Sequence, residues 1–195
     1  MSTIINGSSP SITFSDSTTQ ASAGLTSSST LNASNVTTGT LPSAQLPTGS
    51  VLQVVNTTYN TTTTTDSGTY IDTGLTLNIT PTKSTSKILV IVTGFFVGGT
   101  SSTWCYGQLV RGSTPLCLGT GGLDANCTFA AFANGGISSG NTISYLDSPA
   151  TTSATTYKLQ FKSGDGTGYP VGFNRRVNDL YYAGCSAITL MEIAG

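Results

Sequence analysis

The residues best suited to chemistry in this chain are aromatic and basic, because it contains no histidine and only eight acidic residues. Aromatic rings stack on the faces of sugars, and exposed Trp, Tyr and Arg side chains dominate binding hot spots. The residues that we expect to contact a ligand are Trp104, Tyr106, Tyr169, Arg175 and Arg176. The alternative, which we favour for Trp104, is that the ring faces the core or a seam between subunits.

The residue types exclude several kinds of catalysis. Without histidine the chain has no Ser-His-Asp or Cys-His arrangement and no histidine metal ligand. A glycosidase needs two carboxylates that face each other across a sugar, and the scattered aspartates mark no such pair. The cysteines lack the CxxC spacing of a zinc site. We therefore expect no enzyme activity, no cofactor and no metal.

We favour four buried thiols over two disulfides for Cys105, Cys117, Cys127 and Cys185.

The charge content narrows the choice of partners. Charged residues make up 8% of the chain and the net charge is −1, whereas about 25% is typical of a soluble domain. A basic surface for nucleic acid is therefore not expected. The longest apolar run, residues 88–92, is much shorter than the ~20 residues of a membrane helix. The start has no secretory signal pattern, so we expect synthesis in the cytoplasm and no membrane insertion.

Residues 51–195 read as an all-β head. Tyr157, Leu159 and Phe161 alternate with polar residues, which is typical of a strand with one buried face. The run 87–97 is apolar on both faces, which predicts burial on both. About eight or nine short strands with turn signals between them predict a jelly-roll-like antiparallel β-sandwich. Loops of such a scaffold often carry contacts. The contact loops that we expect are 98–103, 119–126 and 164–180.

Residues 1–50 read as an extended arm. Only one charged residue, Asp16, occurs in the first 65 positions, and Ser, Thr and Gly fill the region. A segment so poor in apolar surface cannot build its own core, so it lies along a partner or remains a flexible linker. Three chains wound together would bury the sparse apolar side chains against each other. The residues expected to pack in this way are Ile12, Phe14, Leu31, Val36, Leu41 and Leu46.

Several stretches of this chain resemble tail-fibre and related appendage proteins of tailed bacteriophages. In the arm these are GSSPSITFSDSTTQASAG and LNASNVTTGTLPSAQLPTGSVLQV. In the head they are SKILVIVTG, LVRGST, ISYLDSPATTSATTYKLQ and ITLMEIAG. The resemblance implies a virion protein, a homotrimer and a role in contacting the host surface. It assigns no binding residue.

Together these observations predict a short phage fibre located on the virion. The arm would dock onto other virion proteins of the tail or capsid, and the trimeric head would contact a glycan or a protein of the host surface. The alternative is a capsid fibre or decoration protein with a purely structural role. A third hypothesis is an enzyme that degrades glycans.

Overall fold

The structure is a computed structural model. It describes residues 4–6, 11–13, 17, 19–20, 45–98, 103–122, 126–133, 138–177, 179 and 181–195. The chain divides into two compact units, Met1–Leu41 and Pro42–Gly195. Of the predicted arm residues, Leu46 is half-buried in the second unit. Four others lie outside the described residues: Phe14, Leu31, Val36 and Leu41.

The first unit contains a small antiparallel sheet. Its strands are β1 (Ile4–Asn6), β2 (Ser11–Thr13) and β3 (Thr19–Gln20), in the order β1-β2-β3. The backbone of Ile12 lies in β2, where alternation of apolar and polar residues predicts a short strand. Pairing between these strands satisfies backbone donors and acceptors without the apolar surface that a packed core requires.

The second unit is all-β, as the sequence predicts, and no helix occurs among its described residues. Strand formation follows from alternation, since side chains at every second position share one face. The strands are β4 (Val51–Tyr59), β5 (Thr63–Thr65), β6 (Ile71–Ile79), β7 (Lys87–Val97), β8 (Thr103–Arg111), β9 (Thr114–Leu116), β10 (Phe129–Ala133), β11 (Ser138–Asp147), β12 (Thr155–Ser163), β13 (Val171–Phe173) and β14 (Ser186–Ile193).

These strands form two antiparallel sheets. In the six-stranded sheet β7 pairs with β11 on one side and with β14 on the other, and β4 pairs with β14. Near the end of β7 the short strand β13 takes the place of β14 as its neighbour, and β5 pairs with β13. The five-stranded sheet has the order β10-β8-β12-β6, with β9 also paired to β8.

The core lies between the two sheets and is built from their inward-facing residues. Ile88, Val90 and Val92 of β7 are fully buried, and Leu159 and Phe161 of β12 meet them in the same cluster. Burying an aliphatic or aromatic side chain of this kind contributes about 1.5–3 kcal/mol. The all-β sandwich is therefore held by the same alternation that the sequence displays.

The outer side of the six-stranded sheet differs from the prediction for residues 87–97. Leu89 of β7 is only half-buried, so the expected burial of both faces is wrong. Within the described residues of the second unit, no further layer of strands covers this side. Strand pairing instead places Val54, Met191, Leu89 and Leu146 in one cross-strand row, here called the aliphatic face. Val54 is 54% exposed and Leu146 is 48% exposed.

The head has two chemically different ends. At the first, here called the junction end, Gly49 donates its backbone N–H to the Ala194 carbonyl, and Ala194 donates to the Ser50 carbonyl, both at 2.8 Å. Strand β7 begins at this end and finishes at the opposite one, where the segment 98–102 leads into β8. That opposite end carries Trp104 and is here called the aromatic end.

Two buried carboxylates lie at the junction end. Asp147, which pairs with Ile88, accepts hydrogen bonds from Arg111 Nη1 at 2.7 Å and from the Tyr157 hydroxyl at 2.6 Å. Glu192 accepts from Gln53 Nε2 at 2.6 Å and from the Thr82 backbone N–H at 2.7 Å. Both carboxylates therefore have charge-assisted partners inside the fold.

Candidate functional site

An aromatic cluster lies on the outer side of the five-stranded sheet, at the aromatic end. Trp104 and Tyr106 alternate outward on β8, with ring centroids 6.3 Å apart and nearly parallel planes. Phe132 of β10 lies opposite Trp104, at a centroid distance of 4.8 Å. The exposed fractions are 42% for Trp104 and 50% for Phe132. Aromatic rings in this arrangement present large apolar faces to solvent.

Of the favoured expectation that Trp104 faces the core or a seam between subunits, the first part is wrong and the second stays a prediction. Side chains alternate along β8, and Cys105 and Leu109 occupy the core side of this strand. Trp104 and Tyr106 consequently point to the other side. Tyr106 is largely covered there, while Trp104 keeps much of its ring accessible.

A lysine joins this cluster across the sheet. Lys162 of β12 pairs with Tyr106, and its Nζ lies 5.6 Å from the Tyr106 ring centroid and 5.2 Å from that of Tyr70. Both distances fall in the range of cation–π contacts. Burial and the nearby Cys127, Cys105 and Tyr106 raise the pKa of Tyr70 to about 12. The Tyr70 hydroxyl is therefore neutral at physiological pH.

A close backbone approach sets the position of the cluster. Gly164 donates its backbone N–H to the Trp104 carbonyl at 2.8 Å. A Cβ at this position would stand 2.9 Å from the Trp104 Cβ and 2.9 Å from a Tyr106 ring carbon. Only glycine leaves these two side chains in place. The cluster defined here consists of Tyr70, Trp104, Tyr106, Phe132 and Lys162.

A row of hydrogen-bonded polar side chains continues along the same face and is here called the polar ladder. Gln108 Nε2 donates to Gln160 Oε1 at 2.7 Å, and Gln160 Nε2 donates to Asp72 Oδ1 at 2.7 Å. Lys158 Nζ lies 2.8 Å from Asp72 Oδ1. Burial alone would raise the pKa of Asp72, but hydrogen bonds from Lys158 and Gln160 lower it below its usual value. Asp72 is therefore ionised at neutral pH.

A shallow depression of about 260 Å³ adjoins the polar ladder. Its polar lining comes from β6 and β12, which bring a carboxylate, an ammonium and two hydroxyls to one place. Such a mixture of apolar floor and few polar groups suits a ligand that carries hydroxyls. The lining residues are Asp72, Gly74, Leu75, Thr76, Thr156 and Lys158.

The other expected contact residues lie in the loops that follow β12 and β13. Tyr169 is exposed in the loop after β12, where its carbonyl accepts a hydrogen bond from Ser163 Oγ at 2.7 Å. Arg175 and Arg176 follow β13, a strand of the other sheet. Arg175 Nε donates to the Arg176 carbonyl at 3.0 Å, and Arg176 lies 3.7 Å from Asp179. These guanidinium groups are engaged within their own loop.

The sequence does not identify several residues of this face. The sequence marks Trp104 and Tyr106 but gives no sign that other strands bring side chains beside them. The available signal is the polar alternation of β12, whose Lys158, Gln160 and Lys162 all turn outward. The residues missed are Tyr70, Asp72, Gln108, Phe132, Lys158, Gln160 and Lys162.

The cysteines differ from the favoured state of four buried thiols. All four are free, but only Cys105 is buried, while Cys117 and Cys185 are exposed. Cys117 lies in a turn with a positive φ of 52°, just after β9, which carries its side chain out of the sandwich. Burial, offset in part by Lys162, raises the pKa of Cys127.

Metal and membrane features were sought across the described ranges. In those ranges no three His, Cys, Asp or Glu side chains gather in a way that would hold a metal ion. Over the same residues, no helix has the length and apolarity to span a membrane.

Comparison with known proteins assigns no family to this chain. A scan against models of protein families finds no match, and a search of curated proteins finds none either. The functional argument therefore depends on the geometry of the outer faces.

Proposed function

We propose that this protein is a short bacteriophage fibre whose head binds a glycan of the host surface. The observation that carries the proposal is the exposed aromatic pair Trp104 and Phe132, with hydrogen-bonded polar side chains beside it on the same sheet face. Sugars have apolar ring faces and hydroxyl edges, so they suit a surface that offers stacking and planar hydrogen-bonding groups together. No catalytic step is proposed.

The position of the cluster supports a role in attachment. The segment that precedes the head joins it at Ser50, at the junction end, and the aromatic cluster lies at the opposite end. A head attached to a particle through its N-terminal arm would therefore present the cluster away from the attachment point. In this proposal residues 1–50 dock onto other virion proteins.

The order of strands supports a jelly-roll topology for the head. With the short strands set aside, the sheets read β4-β14-β7-β11 and β6-β12-β8-β10. Successive strands of the chain thus alternate between the two sheets, except that β8 and β10 are neighbours in one sheet, as happens when a long hairpin folds over itself into two Greek keys. Capsid and lectin domains often have this architecture.

The aliphatic face supports self-association of the head. The aliphatic face has no charged residue; the row on one side of it holds Asn56, Thr189, Ile91 and Ser144, and the row on the other side holds Ile193 and Lys87. Large exposed apolar patches mark interaction sites. A sister copy offers a matching apolar row, whereas a strongly polar partner would leave these aliphatic side chains without complementary contacts. We propose that this face forms the seam of a homotrimer.

The glycan proposal is tested by retention of the purified protein on a panel of immobilised bacterial and algal polysaccharides and lipopolysaccharides. Trp104→Ala should weaken retention about tenfold to hundredfold, because loss of a stacking ring costs about 1–3 kcal/mol. The control is Tyr181→Ala, which removes another exposed ring in a different loop. Equal behaviour of the two variants, or no retention of the unchanged protein, would overturn the proposal.

The trimer proposal is tested by light scattering coupled to size-exclusion chromatography. The unchanged protein should have three times the 19.9 kDa mass of the chain. Leu146→Lys should reduce that mass, since a buried ammonium without a partner is costly. Leu118→Lys is the matched control, because Leu118 is exposed in the loop after β9. A monomeric unchanged protein would contradict the proposal.

The structural alternative, a capsid fibre or decoration protein, has its own experiment. Antibody against the head should label the tail of negatively stained particles if the protein is a tail fibre, and the shell if it decorates the capsid. An enzyme that degrades glycans would release new reducing ends from a retained polysaccharide. Their absence after prolonged incubation is the expected result.

A further inference from the structure

We infer that the outer side of the five-stranded sheet binds a linear oligosaccharide of several units, with a second subsite at the depression beside Asp72 and Lys158. The inference rests on the proposed glycan binding and adds the length and direction of the ligand. It also names the residues that would hold the sugar farthest from Trp104.

The two places lie along one pair of strands. Lys158 pairs with Val110 and Gln160 pairs with Gln108, which places them six and four positions along β8 from Trp104. A strand rises about 3.4 Å per residue, so the depression lies roughly 14–20 Å from the stacking ring. That separation exceeds the size of a single sugar ring.

Half-buried side chains of β12 link the two places. Lys162 pairs with Tyr106 and Gln160 pairs with Gln108, and both β8 residues are buried, so Lys162 and Gln160 are the accessible members of these pairs. The Gln160 amide is already aligned by a hydrogen bond of 2.7 Å from Gln108. A planar group fixed in this way loses little conformational entropy when a ligand binds. A chain of sugars lying along β12 would cross Lys162 and then Gln160.

The depression has the chemistry of a sugar subsite. Its carboxylate, Asp72, is more than half exposed, and it accepts hydrogen bonds from Gln160 on Oδ1 and from Lys158 on Oδ2. It therefore retains capacity to accept hydrogen bonds from ligand hydroxyls. The Lys158 ammonium and the hydroxyls of Thr76 and Thr156 supply donors at the same place. Because Asp72 and Lys158 neutralise each other, the subsite suits an uncharged sugar.

The experiment measures binding to printed oligosaccharide series that run from single sugars to octamers of glucose, mannose, xylose, N-acetylglucosamine and uronic acids. Three variants are compared with the unchanged protein: Trp104→Ala, Asp72→Ala and Asp179→Ala. Asp179 is a matched control, since it is also an exposed carboxylate beside a cation, Arg176, but in another loop. Unfolding by urea checks that each variant keeps its fold.

The expected result is that affinity rises with length in at least one series. Asp72→Ala should lower the affinity for the longest oligosaccharides about tenfold and leave the affinity for the shortest unchanged. Asp179→Ala should leave the affinity for every length unchanged. The inference is overturned if binding depends on Trp104 but not on length or on Asp72, and glycan binding itself then stands. If the unchanged protein binds no series and no polysaccharide, both the inference and the proposed function fail.

Discussion

The junction end and the aromatic end of the head use similar side chains in opposite ways. At the junction end Asp147 and Glu192 are buried, and donors from several strands surround them. At the aromatic end and along the adjoining face, Trp104 and Asp72 keep much of their surface exposed. A carboxylate surrounded by hydrogen-bond donors of the protein stabilises the fold, whereas one with free lone pairs can accept hydrogen bonds from a ligand.

If the proposed glycan binding holds, the difference separates groups that stabilise the fold from groups that contact the ligand. Removal of a group at the junction end should lower the free energy of unfolding and leave ligand contacts intact in the protein that remains folded. Removal of a group at the aromatic end should weaken ligand binding and leave the free energy of unfolding nearly unchanged. Measurements at one fixed protein concentration keep self-association from obscuring the comparison.

The largest effect is expected from Asp147→Ala. The change leaves the Arg111 guanidinium and the Tyr157 hydroxyl without their partner, between strands of both sheets. Breaking a buried ion pair from one side costs about 3–5 kcal/mol in the free energy of unfolding. Urea denaturation measures this loss. Asp66→Ala is the control, because Asp66 is exposed and accepts only a long bond, 3.4 Å, from Gly168. If both variants lost similar free energy of unfolding, the special contribution of the junction end to stability would be contradicted.

Glu192→Gln should cost about 2 kcal/mol at neutral pH, since hydrogen bonds to a charged group contribute about 1.5–3 kcal/mol. Burial alone would raise the pKa of Glu192, but hydrogen bonds from Gln53 and Thr82 lower it below its usual value. The stabilisation is therefore present above the unfolded-state pKa of about 4.3 and is lost as the pH falls through the folded-state pKa.

The measurement for this variant is the urea midpoint as a function of pH. The unchanged protein should lose stability on acidification, and the gap between it and Glu192→Gln should narrow below about pH 4. A gap that stays constant with pH would show that the charge of Glu192 is not what stabilises the junction end.

Lys162→Met should have a smaller effect on stability, about 0.5–1 kcal/mol, because it removes two partly exposed cation–π contacts and keeps the aliphatic stem. Retention on polysaccharide should fall severalfold, since Lys162 lies between the stacking rings and the polar ladder. Lys87→Met, at the start of β7, is the control. A stability loss above about 2 kcal/mol would mean that Lys162 belongs with the stabilising groups.

Tyr70→Phe should give the smallest change, within about 0.5 kcal/mol at neutral pH. Its main effect is spectroscopic, because a tyrosine that titrates with a pKa of about 12 disappears from the ultraviolet titration. The raised pKa contributes stability below the unfolded value of about 10, and this is lost as the pH rises through 12. Tyr181→Phe should keep the step near pH 12. Persistence of that step in Tyr70→Phe would contradict the assignment.

The sequence predicts the strands of the head well, but it does not predict how they pair or which side chains the pairing brings together. Alternation along 155–163 reveals which side of β12 is buried, because the period of two is a local property. That Phe132 lies beside Trp104 depends on the register of β10 against β8, which is set by tertiary packing. The contact role expected for Arg175 and Arg176 stays a prediction, and nothing in the sequence indicated that the folded loop would engage both guanidinium groups.

The pairing of Gly49 and Ser50 with Ala194 has a practical consequence for labelling. A fluorescent protein fused after Gly195 would lie beside Gly49 and Ser50, at the end of the head opposite Trp104. Such a reporter would leave the stacking rings unobstructed, so the labelled head could be used in fluorescence binding assays. A reporter inserted between β7 and β8 would instead stand next to those rings.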